Sequence, residues 1–151
     1  MGIKISDVGP GGRTLPAGAS GEKREVSEAA SAFKTHISNI NEQNYLSELQ
    51  ALSERIAEQG KRLSKTADIL EMKKLREMVS EYMREALKYS FEFKKESSFD
   101  GRGRHRVYAI VEKVDAKLDA LTNELLEGQT DSLKIMESID DIRGLLFDMV
   151  A

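Results

Sequence analysis

The chain has 151 residues, a formal net charge of −3, 40% hydrophobic and 32% charged residues, and no cysteine. That length supports one domain with a modest core, and the acidic balance argues against a dedicated nucleic-acid coat, whose basic footprint would dominate the domain. The lack of cysteine excludes disulfides, thiolate metal sites and cysteine nucleophiles; with no apolar run near the length of a membrane span and no signal-peptide core, the expected setting is the cytoplasm, without a membrane partner.

Both prolines, Pro10 and Pro16, and six of the eleven glycines fall within the first 21 residues. Residues 1–24 read as a flexible tail, because they hold too little apolar surface to offset their ordering entropy. Residues 25–151 contain no proline and read as a helical bundle domain. Apolar residues do not alternate, so strands find no support.

The helical reading rests on spacing. Val26, Ala30, Phe33, Ile37 and Ile40 step by 4, 3, 4, 3. Tyr45, Leu49, Leu52 and Ile56 step by 4, 3, 4, and Leu63 follows one heptad later. Asn39, Asn41 and Asn44 mark a bend or a break between these runs. Gly60 weakens its helix by about 1 kcal/mol relative to alanine. A turn is expected over Ser64-Lys65-Thr66, with Thr66 capping the next helix and Asp68 in its first turn.

The third segment, from about Ala67 to Glu96, has the cleanest seam: Met72, Leu75, Val79, Tyr82, Ala86, Tyr89 and Phe93 step by 3, 4, 3, 4, 3, 4. Met78, Met83 and Phe91 lie off it and call for a second packing surface. The fourth segment carries Val107, Val111, Val114, Leu118, Leu121 and Leu125, and Gly128 is placed to end it. The last starts near Thr130 or Asp131 and carries Leu133, Met136, Ile139, Ile142, Leu146 and Met149. Seams at this spacing predict an all-α antiparallel bundle of four to five long heptad-patterned helices behind a disordered N-terminal tail. Heptad seams also pair across chains, which makes a homodimer an expectation.

Between the third and fourth segments lies a basic elbow, Phe99-Asp100-Gly101-Arg102-Gly103-Arg104-His105-Arg106-Val107-Tyr108. From Lys94 to Arg106, five Lys/Arg (94, 95, 102, 104, 106) face Glu96 and Asp100, a local +3, whereas residues 107–151 hold ten acids and four bases, −6. Asp100-Gly101 is a turn signal. Arg104, His105 and Arg106 then fall in the first helical turn, where cations oppose the helix dipole by about 0.3–1 kcal/mol each. A helix tuned for stability alone would carry acids there. The candidate site for an anionic partner is therefore Lys94, Lys95, Arg102, Arg104, His105 and Arg106, with Tyr108 beside them. The competing structural reading pairs these arginines with Glu92, Glu96, Asp140, Asp141 or Asp148. Arg143 and Gly144, within Ile142-Arg143-Gly144-Leu145-Leu146-Phe147-Asp148, form a second candidate docking face, where a mid-helix glycine suggests close approach by another helix.

No catalytic constellation is visible. Glu-x-x-His is absent: Phe33 precedes His36 by three and Arg102 precedes His105 by three. Gly9-Pro10-Gly11-Gly12-Arg13 lacks the Gly-Lys-Ser/Thr end of a phosphate loop, and there is no Gly-x-Ser-x-Gly elbow. No metal or cofactor is expected. The reading is a non-enzymatic interaction or adaptor protein with a protein partner. Nucleic-acid or nucleotide binding at the same elbow and a structural homo-oligomer are the alternatives.

The elbow, Leu118-Asp119-Ala120-Leu121-Thr122-Asn123-Glu124-Leu125 and the terminal Ile142-Arg143-Gly144-Leu145-Leu146-Phe147-Asp148 resemble the bacterial YaaR-like family of unknown function. The likeness is strongest from about Ile69 to Ala151. The family pattern commonly has arginine where this chain has Gly101, and lysine where it has Arg106. The resemblance implies a bacterial, cytoplasmic, all-helical protein and supplies no activity, cofactor or catalytic residue.

Overall fold

A computed structural model describes residues 16–93 and 101–151, with side chains over 27–93 and 102–151. It comprises α1 (Pro16–Thr66), α2 (Ile69–Phe93), α3 (Gly101–Glu127) and α4 (Ser132–Asp148). No strand occurs among the described residues. The chain divides into two compact units, Met1–Asn41 and Glu42–Ala151.

In the first unit the described chain is helix from Pro16, and proline suits a first helical position because its missing N–H has no partner there anyway. The expected 1–24 tail lies outside the described residues over 1–15; from Pro16 the chain is helix. The two apolar runs of α1 belong to one helix that passes unbroken through Asn39, Asn41 and Asn44, all exposed. Phe33, Ile37 and Ile40 are 66%, 40% and 43% exposed, which corrects the expectation that this run packs into the bundle core. α1 has 51 residues, whereas the longest other described helix has 27.

The second unit holds the core, with Leu49, Leu52, Ile56 and Leu63 of α1, Met72 to Tyr89 of α2, Val107 to Leu121 of α3 and Ile135 to Leu146 of α4. Polar pairs fix the neighbours. Gln59 meets Glu71 beside the α1–α2 turn, and Glu42 meets Tyr89 at the far end. Arg76 of α2 bonds Asp119 at 2.5 Å and Thr122 at 3.2 Å on α3. Lys117 reaches Asp141 on α4, and Arg143 of α4 donates to the Ser53 hydroxyl on α1 at 3.3 Å. Each helix thus runs antiparallel between two others, in the order α1, α2, α3, α4 and back to α1. This is an up-down-up-down four-helix bundle.

The short joints follow from their residues. Thr66 lies just before the cap of α2 rather than at it: its hydroxyl donates to the Arg62 carbonyl and accepts from the Asp68 N–H at 3.3 Å. The cap is Asp68, whose Oδ1 accepts from the Leu70 N–H at 3.0 Å. Its carboxylate is the better acceptor at the positive end of a helix. Ala67 turns the chain with φ +51°. α3 ends as expected at Gly128, φ +67°: the Gln129 N–H reaches Glu124 O and the Gly128 N–H reaches Leu125 O, a Schellman end. Asp131 caps α4, accepting from the Lys134 N–H at 2.9 Å.

Within the seams, neighbouring apolar residues exchange roles. Ile110 is buried and Val111 only partly; Ile135 is buried while Leu133 is 68% exposed. Met78 and Met83 pack against the core as expected, but Phe91 is exposed. Gly60 is buried, and a Cβ there would lie 2.8 Å from Ile139 Cγ2.

Tyr89 is buried, stacks with Phe93 at 5.5 Å, and donates to Glu42 at 2.9 Å. Burial first, then the bond to and charge of Glu42, push its phenol up to about 12. The unfolded phenol titrates near 10, so stability is full below pH 10 and falls between pH 10 and about 12, where only the native state keeps the proton. Tyr89→Phe is expected to flatten that fall in alkaline unfolding followed by circular dichroism. Equal slopes in both proteins would assign the loss elsewhere.

Candidate functional site

α3 opens on the elbow and carries no acid in its first turn. Arg102, Arg104, His105 and Arg106 are all exposed. Arg106 is internally committed: its Nη2 donates to the Asp148 carbonyl at 2.6 Å, satisfying an orphan oxygen at the C-terminus of α4. The pairing of elbow arginines with α4 is thus met by Arg106, at a carbonyl. The Asp141 carboxylate is taken by Lys117 at 3.3 Å. Among the described residues, the side chains of Arg102, Arg104 and His105 have no hydrogen bond or ion pair. Tyr108 is 62% exposed. Lys94 and Lys95 lie outside the described residues.

The elbow therefore divides chemically. One cation ties α3 to the end of α4, and two arginines and a histidine are exposed near the amino end of a helix, whose dipole adds to the positive field. Guanidinium groups placed this way suit carboxylates and phosphates.

The second candidate face differs from expectation. Arg143 is half-buried and spans to Ser53, so it acts as an interhelical tie. Nothing lies within 4 Å of a Cβ built on Gly144. The glycine that meets a neighbouring helix is Gly60, and spacing alone could not rank the two. Sequence reading also missed a groove between α1 and α2, about 640 Å³, lined by Ala51, Arg55, Glu58, Arg62 and Met78 among others. Its only sequence signal is the pair of small residues Ala51 and Ala57.

Among the described residues no group of three or more His, Cys, Asp or Glu could hold a metal. None of their helices is long and apolar enough to cross a membrane. The resolved pKa shifts fall on Tyr82 and Tyr89, both raised by burial in the core.

The fold and elbow define a four-helix antiparallel bundle with a basic helix start. Residues 15–150 match the family described as a protein of unknown function, DUF327, and the chain belongs to that family. It is 29% identical over 125 residues to the uncharacterized protein YaaR of Bacillus subtilis (strain 168), covering 83% of this chain and 86% of the relative. The crystal structure of the uncharacterized protein BH1478 from Bacillus halodurans superposes with a TM-score of 0.71 at 32% identity, over 78% of this chain and 97% of the other. A designed granulopoietic protein, Moevan, shares the fold with a TM-score of 0.65 at 24% identity, over 73% of this chain and 94% of the design.

Proposed function

We propose that the chain is a non-enzymatic, cytoplasmic interaction protein that docks an acidic protein surface on the elbow. Arg102, Arg104 and His105 make the charged contacts, and Tyr108 adds an edge contact. The observation that carries this reading is that, among the described residues, the Arg102 and Arg104 side chains have no partner, in a helix turn where cations oppose the dipole. Arg106 is left out because α4 uses it.

The test is affinity capture from nuclease-treated bacterial extract with three baits. Arg102→Glu/Arg104→Glu is expected to lose the captured acidic protein at least tenfold with a melting temperature at or above the wild-type value, because acids suit the first turn of a helix. Arg106→Glu is expected to lower the melting temperature by about 3 °C, from one lost charged hydrogen bond of about 1 kcal/mol. Equal capture by wild type and the double variant would overturn the site. Wild-type retention of DNA or RNA on filters, falling linearly in log affinity with log salt, would replace the protein partner by a phosphate one.

A further inference from the structure

The exposed stripe of the first unit is unlike the rest of the chain. Ala30, Phe33, Ile37 and Ile40 keep the 3, 4, 3 phase, and the three large ones stand open. From Ser27 to Asn41 the ionisable side chains are Glu28, Lys34 and His36, in a chain with 32% charged residues. Ala29, Ala30, Ala32, Ser27, Ser31 and Ser38 keep the surface small, which permits close helix approach. A helix of this composition is marginal alone, since most helical stability comes from packing an apolar face.

We infer that residues 27–41 pair with the same residues of a second copy as a parallel, in-register two-stranded coiled coil. With Ala30 and Ile37 as a positions and Phe33 and Ile40 as d positions, each apolar residue meets its own copy. A β-branched Ile at a favours two strands. Charge selects both occupant and direction. In parallel register the flanking contacts are Ala29 with Lys34 and His36 with Asn41 of the second copy, so no like charges meet. The antiparallel register that buries the same four residues sets Ala30 against Ile40 and Phe33 against Ile37, and it brings Lys34 onto Lys34 of the second copy. A strongly acidic or basic partner finds only Glu28 and Lys34, which cancel. This interface is separate from the elbow, and its failure leaves the elbow reading untouched.

Sedimentation velocity on the full chain tests it. Between about 1 µM and 1 mM, mass action is expected to raise the wild-type mass from 16.9 kDa toward twice that value. Phe33→Glu/Ile37→Glu is expected to weaken dimerisation at least a hundredfold while the core unfolds at the wild-type temperature. A wild type that stays monomeric throughout, or a dimer that survives the double substitution, overturns the interface. So does a monomer whose residues 27–41 are protected only by a different protein in extract. Ile40→Cys, in a chain with no other cysteine, is expected to oxidise to a covalent dimer. Failure to cross-link in a dimeric sample overturns the parallel direction.

Discussion

Gln59→Glu is expected to cost about 3 kcal/mol at neutral pH, lowering the melting temperature by about 10 °C. Gln59 is 3% exposed, and its amide donates both to the Glu71 carbonyl at 2.9 Å and to the Glu71 carboxylate at 2.6 Å. Glutamate at this position loses both donors and sets a second carboxylate against the first. Two carboxylates that close cannot both stay ionised cheaply, so the pair binds a proton more readily folded than unfolded. Its deficit therefore shrinks as pH falls toward 4. Gln59→Leu removes the bonds without adding charge and is expected to cost about 2 kcal/mol, with no such recovery. Thermal melts at pH 7 and pH 4 separate the cases, and a pH-independent deficit for Gln59→Glu would show that Glu71 swings into solvent.

Alanine at the two helical glycines is expected to act in opposite directions. Gly144→Ala meets nothing within 4 Å and gains helix propensity, so it should stabilise by about 1 kcal/mol, or about 3 °C. Gly60→Ala has the same propensity gain but drives a methyl into Ile139, at 2.8 and 3.0 Å from Cγ2 and Cγ1. Ile139 is β-branched and buried, so its side chain cannot swing aside. For a contact this close, overpacking of about 2–3 kcal/mol, the upper part of the usual range, outweighs the gain of about 1 kcal/mol, for a net loss of about 1–2 kcal/mol. Ile139→Ala should make Gly60→Ala nearly harmless in a double-mutant cycle. Additive losses would mean that α1 and α4 separate rather than clash.

The bundle was legible because α2, α3 and α4 each carry an apolar seam in helical phase and because Gly128 and Asp131 bear the chemistry their turn requires. Four things were not legible, each for a physical reason. The seam through Phe33, Ile37 and Ile40 has the same spacing as the buried seams, and periodicity reports a face without saying what covers it. The choice between Ile110 and Val111, or Ile135 and Leu133, is a rotation of α3 or α4 settled by neighbours. Gly60 and Gly144 look alike in sequence, and only the approach of Ile139 distinguishes them. At the elbow, the cluster of cations was visible, but the use of Arg106 on the Asp148 carbonyl was not: a backbone acceptor leaves no mark in a charge pattern.

The order in which helices neighbour one another has a kinetic consequence. Gln59 and Glu71 are 12 residues apart and Lys117 and Asp141 are 24 apart, whereas Arg143 must find Ser53 across 90. Closure entropy grows with the logarithm of the span, so the α1–α2 and α3–α4 hairpins are expected to form from local encounters, and the α4–α1 seam to close last, after the barrier. Low average sequence separation of contacts places the chain among rapidly folding topologies. The close fit of Gly60 against Ile139 belongs to that last seam, so tightening it would hasten unfolding more than it slows folding.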